Sequence, residues 1–234
     1  MKPNRYQCLA FDAVGTIIHP TPSAAEVYYC LARRYGSQLS AEEIAGRFRT
    51  AFRVSEQGDV TAEPGQGHTT SEAREELRWR QIVASVIDDI ADTDRCFSDL
   101  FAHFARPASW SCFDDVPETI SRFQAAGYRL AIASNFDSRL HAVCNGMASL
   151  RAIELRIISS EVGCRKPGRL FFAALVARAG CHAGDVLMIG DDRANDVEGA
   201  RAAGLEAILI KRRGHCGPGE ISSLIELCDL LDVA

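Results

Sequence analysis

Beyond about residue 115 the chain alternates two hydrophobic patterns. Short, mainly apolar runs at 128–133, 155–158, 186–189 and 207–210 read as buried strands, as does Cys8-Leu9-Ala10-Phe11 near the start. Between them, apolar residues recur at helical spacing. Val116, Ile120 and Phe123 share one face of a helix over 116–126, which Gly127 stops. Further helices are expected at 138–150, from Pro167-Gly168 to Ala179, and at 194–203, with Gly180 and Gly204 at their ends. Switching repeatedly between these two periods is the mark of an α/β fold, a parallel sheet with crossover helices.

Residues 21–106 follow only the helical period. Helices are expected at 22–36, 40–56, 71–90 and 94–105, with no strand among them and a Gly-, Thr- and Pro-bearing loop from Gly58 to Thr70. The chain therefore divides into an α/β core from 1–20 and 107–234 and an all-helical insertion over 21–106, directly after the first strand. An insertion there is placed to act as a lid, and a purely packing role is the other reading.

Composition narrows the partners. With 234 residues the chain is long enough for a sizeable core, and 47% hydrophobic with 24% charged residues is ordinary for a globular protein. A net charge of −5 offers no basic stripe for nucleic acid. Lys211-Arg212-Arg213 follows an apolar run and reads as a solvated loop after a strand. No stretch is long enough for a membrane span, and Met1 to Gln7 is too polar for a signal peptide. Nine scattered cysteines, with no Cys-x-x-Cys pair, fit reduced thiols in the cytoplasm better than disulfides or zinc. Cys8 and Cys144 sit among apolar neighbours and read as core residues.

Polar islands fall at the predicted strand ends: Asp12 with Gly15-Thr16, Ser134-Asn135, Lys166-Pro167, and Gly190-Asp191-Asp192-Arg193-Ala194-Asn195-Asp196. The carboxyl edge of a parallel sheet is where such folds bind ligands, so the four are expected to converge. Asp12, Asp191, Asp192 and Asp196 would repel one another strongly without a cation, and hard oxygen ligands suit Mg²⁺. Asp191 and Asp192 read equally well as caps of the following helix when taken alone.

In order, spacing and context these four motifs resemble those of the haloacid dehalogenase-like (HAD) hydrolase superfamily, of the type with a helical cap after the first strand. The resemblance covers nearly the whole chain. It implies a Rossmann-like core and a phosphatase of small phosphorylated metabolites. Asp12 would be the nucleophile and form an aspartyl-phosphate. Ser134 would hydrogen-bond the phosphoryl oxygens, and Lys166 would neutralise their charge. On the substrate side the resemblance implies Ala13, Thr16 and Asn135. Mg²⁺ would be held by Asp12, Asp191 and the backbone carbonyl of Val14, with Asp196 and Asp192 supporting it through water.

One residue departs from the pattern. Phosphatases of the superfamily carry aspartate where this chain has Val14, and that aspartate protonates the leaving group and then activates water. General acid–base help contributes ~10²–10⁴-fold, so an alkoxide leaving group should suffer most and an acyl phosphate least. His19 is the nearest candidate substitute, its other reading being packing at the hinge of the insertion. A phosphonatase would need a lysine in the insertion, and the three lysines, Lys2, Lys166 and Lys211, all lie outside it. Haloacid dehalogenases also lack the second aspartate but need no acidic metal cluster. The expected function is therefore a Mg²⁺-dependent phosphatase weakened by Val14. A binding protein for a phosphorylated ligand or a partner protein, or a C–halogen hydrolase, is the alternative.

Overall fold

A computed structural model describes residues 5–58 and 68–233 of the chain. Most of the Gly58–Thr70 loop therefore lies outside the described residues. In chain order the strands are β1 (Cys8–Phe11), β2 (Ile18–Pro20), β3 (Trp110–Cys112), β4 (Arg129–Ser134), β5 (Leu155–Ile158), β6 (Val186–Gly190), β7 (Glu206–Ile210) and β8 (Glu220–Ile221). Six of them form one parallel sheet in the order β5-β4-β1-β6-β7-β8.

Strand β1 is wholly buried because helices cover both faces of the sheet. Its side chains alternate accordingly. Leu9 and Phe11 join Val116, Ile120 and Phe123 of α5 (Val116–Ala125), as well as Leu140 and Leu224. Cys8 and Ala10 face Phe171, Phe172 and Leu175 on the opposite side. Register then sets the site. Phe11 pairs with Ile132 of β4 and with Ile189 of β6, so Asp12, Ser134 and Gly190 leave the sheet at nearly one level.

The helices before α5 are α1 (Ala24–Arg34), α2 (Ala41–Gly58), α3 (Glu72–Val86) and α4 (Thr93–Phe104). They surround an apolar cluster of their own that includes Val27, Leu31, Ile44, Val83 and Leu100. Their starts are set locally. The Ser23 hydroxyl accepts from the Glu26 N–H while the Glu26 carboxylate accepts from the Ser23 N–H, and Ser71 and Asp92 cap α3 and α4 in the same sense. The chain leaves and re-enters the α/β layer through the antiparallel ribbon β2–β3, with Ile18 opposite Cys112. Three-residue strands leave too little alternation to be read in advance.

After α5 come α6 (Arg139–Gly146), α7 (Ser159–Val162), α8 (Arg169–Ala179), α9 (Gly199–Ala202) and α10 (Leu224–Leu230). Helices expected at 138–150 and 71–90 stop four residues earlier, at Gly146 and Val86. The helix expected at 194–203 starts as a π-helical turn over Arg193–Glu198, which α9 continues. Among the described residues no helix is long and apolar enough to cross a membrane.

Candidate active site

The strand ends meet as the alternating pattern requires. The Asp12 N–H donates to the Ile189 carbonyl at 2.8 Å, extending the β1–β6 ladder one residue beyond the strand. The chain then turns at Gly15, whose φ of +91° favours glycine. A Cβ on Gly15 would stand 2.3 Å from Asp191 Oδ2, and one on Gly190 would stand 2.1 Å from Asp196 Oδ2. Both glycines thus make room for carboxylates.

Around Asp12 the contacts are specific. Its Oδ1 accepts from Ser134 Oγ at 3.0 Å and from Lys166 Nζ at 2.7 Å. Lys166 Nζ also donates to Asp196 Oδ1 at 2.5 Å and to the Ala133 carbonyl at 2.8 Å. Asn135 clasps the backbone of Lys166, accepting from its N–H at 2.7 Å and donating to its carbonyl at 3.0 Å. One oxygen each from Asp12, Asp191 and Asp196 lies within 4.8 Å of the other two.

Three carboxylates against one ammonium leave negative charge in excess. Burial, with the charges of Asp12 and Asp196, pushes Asp191 up to about 7, although Asp191 is exposed along one edge. Burial pushes Asp196 up to about 6 in spite of Lys166. Burial alone would lower the Lys166 pKa, but Asp12 and Asp196 outweigh it and hold the ammonium charged. A hard divalent cation fits this donor set. The oxygens are close enough to share it, and the cluster lacks the positive charge that it would bring.

A family model of haloacid dehalogenase-like hydrolases matches residues 6–204. The chain belongs to that hydrolase family. HAD-like hydrolase domain-containing protein 3 of Danio rerio is 26% identical over 208 residues, spanning 87% of this chain and 84% of the relative. Phosphoglycolate phosphatase of Pectobacterium atrosepticum is 26% identical over 203 residues, spanning 86% and 78%. Among solved structures, the Bacillus subtilis protein YfnB bound to magnesium superposes with a TM-score of 0.79 at 20% identity. That match covers 98% of this chain and 100% of the other. The HAD-like α/β fold expected from the motifs is therefore the fold of this hydrolase.

Not every candidate residue joins the HAD cluster. Asp192 caps the π-helical turn, accepting from the N–H groups of Ala194 and Asn195 at 2.9 Å, and stands outside the three-carboxylate group. Ala13 is fully buried, and its carbonyl accepts from Ile17 and Ile18 in the turn after β1. Thr16 is also buried and donates to Asp191 Oδ1 at 3.2 Å. His19 sits on β2 with its ring centroid 4.9 Å from that of Phe113 and is not among the residues lining the site cavity. That is the hinge-packing position. Val14 lines the cavity and is 37% exposed.

Sequence reasoning missed two features. Arg212, read as part of a solvated loop, folds inward instead. Its guanidinium donates to the Thr16 carbonyl, at 3.1 Å from Nε, and pairs with Asp115 at 2.5 Å, which braces the turn after β1. The run of three cations carries no signal of which one turns in. The second is a pair of aromatic residues in the helical segment, Phe48 and Trp79. Both line a cavity of about 490 Å³ that also contains Asp12, Lys166 and Asp191.

Proposed function

We propose that this HAD-family hydrolase is a Mg²⁺-dependent phosphatase of a small phosphorylated metabolite, working through an aspartyl-phosphate on Asp12. The observation that carries the reading is the double hold on Asp12 Oδ1 by Ser134 and Lys166, next to the Asp191 and Asp196 oxygens. Oδ2 makes no hydrogen bond among the described residues, so the carboxylate is oriented by one oxygen and open for attack at the other.

In this reading Asp12 attacks phosphorus, while the Ser134 hydroxyl donates a hydrogen bond and the Lys166 ammonium offers positive charge to the phosphoryl oxygens. Asp12, Asp191 and Asp196, with the Val14 carbonyl, would hold Mg²⁺, whose bound charge offsets that of the phosphoryl group. Asn135 fixes the Lys166 backbone and so places its ammonium. The helices of 21–106 act as a cap, supplying the aromatic part of the cavity wall that keeps water from the site. Two relatives are named as phosphatases, phosphoglycolate phosphatase and the ribulose-1,5-bisphosphate 5-phosphatase of Halopiger xanaduensis, the latter 30% identical over 130 residues. Both support phosphate chemistry over dehalogenation, as does a carboxylate cluster that halide displacement does not need.

Assay of acetyl phosphate and a panel of phosphate esters tests the proposal. Turnover should require Mg²⁺, stop with EDTA, and fall at least ~10³-fold in Asp12→Asn. Activity that survives Asp12→Asn, or halide release from 2-haloacids without metal, overturns it.

A further inference from the structure

The cavity wall opposite the carboxylates is aromatic. Tyr28, Phe48, Phe52, Trp79 and Phe104 from the four helices face the site, and Trp110 and Phe136 close the side nearest the sheet. Phe52 lies between Phe48 and Trp79, with ring centroids 6.1 Å from each, and it is 39% exposed despite its size. The charged residues of that wall are already engaged with one another. Arg78 pairs with Glu56 and Glu75, and Arg165 lies 2.8 Å from Glu56. The Tyr28 hydroxyl makes no hydrogen bond among the described residues. Such a wall favours an apolar, flat body over a polyol or a second phosphate.

A second observation, at the opposite end of the same cavity, points the same way. Val14 lines the cavity two residues after Asp12, and its isopropyl side chain can donate no proton to a leaving group. The leaving oxygen must then depart as an anion. A phenol, with a pKa of about 10 as in tyrosine, does so far more readily than an alkanol, whose hydroxyl is a much weaker acid.

Resting on the phosphatase reading, we infer that the substrate is a phosphate monoester of a phenol, its ring held by the Phe52–Trp79 wall and its leaving oxygen beside Val14. The atoms balance without a protein acid. Asp12 Oδ forms the bond to phosphorus as the aryl oxygen leaves with the electron pair, and the aryloxide takes a proton from water. A second water then attacks phosphorus, returning the Asp12 carboxylate and inorganic phosphate and giving up its proton to solvent.

The test is kcat/KM with Mg²⁺ on phenyl phosphate, 1-naphthyl phosphate, glycerol phosphate and acetyl phosphate, for wild type, Asp12→Asn, Val14→Asp, Phe52→Ala and Trp79→Leu. Aryl esters should exceed glycerol phosphate by roughly 10²-fold or more in wild type, the lower end of what a general acid contributes. Val14→Asp should shrink that ratio at least tenfold by rescuing the alkyl ester. Phe52→Ala and Trp79→Leu should each lower the phenyl phosphate value at least tenfold more than the acetyl phosphate value, which also reports that the variants are folded. Asp12-dependent turnover of acetyl phosphate with no aryl preference overturns this inference and leaves the phosphatase reading standing. No Asp12-dependent turnover of any of the four compounds overturns both.

Discussion

Asp191 and Asp196 carry the clearest residue-scale consequence. Each has a folded-state pKa above its ordinary 3.8, at about 7 and about 6, so between about pH 4 and 7 the folded protein binds more protons than the unfolded chain. Stability of the metal-free protein therefore falls as pH rises through that window, the reverse of the usual salt-bridged carboxylate. We expect Tm in EDTA to be lower at pH 8 than at pH 5.5, each kcal/mol corresponding to about 2–4 °C for a chain this size. Mg²⁺ should remove most of the drop, and a flat Tm profile in EDTA would show that the carboxylates are not crowded as described. Gly190 makes a second test. A methyl group there meets Asp196 Oδ2 at 2.1 Å, so Gly190→Ala should cost about 1–3 kcal/mol in urea unfolding and weaken Mg²⁺ binding, because Asp196 has to move.

Among the elements, α3 is tied to the α/β layer by two side chains, Glu75, which lies 3.6 Å from Arg165 Nε, and Glu72. Glu72 accepts from the Ser138 N–H at 3.0 Å and the Ser138 hydroxyl at 2.8 Å, and also from Ser160 at the start of α7. Arg139 at the start of α6 reaches across in the other direction, donating to the Phe101 carbonyl at 3.1 Å with its guanidinium 3.5 Å above the Phe101 ring. These contacts cross between two separate apolar clusters, so they hold the four helices over the site without stabilising either cluster internally. Glu72→Ala should accelerate amide exchange in α3 while leaving β1, β4 and β6 as protected as before. Equal acceleration in the sheet would mean that the two layers unfold as one unit.

For the whole molecule, the cavity takes its walls from both layers, so a ligand bound in it links them. Inorganic phosphate added with Mg²⁺ at a hundred times its Kd should stabilise the folded protein by about 2.7 kcal/mol, or roughly 5–10 °C in Tm. The same concentration without Mg²⁺ should give much less. If phosphate alone matched the pair, the three carboxylates would not be acting as a cation site.

Much of this was legible in the chain alone. Strand periodicity located β1, β4, β5, β6 and β7 within a residue or two, because a strand buried on both faces is written as a mainly apolar run. Asp12, Ser134, Lys166, Asp191 and Asp196 were also readable, since each is a polar residue breaking out at or after such a run. What only the tertiary structure decided were the choices among residues of equal chemistry. Asp192 caps a helix while Asp191 faces the cluster, Arg212 turns inward from a run of three cations, and His19 packs on Phe113 away from the cavity. Phe52 and Trp79 face the site for the same kind of reason. Local sequence sets which residues are apolar or charged. Which of them point at one another depends on sheet register and helix docking, and both are fixed by contacts between residues far apart in the chain.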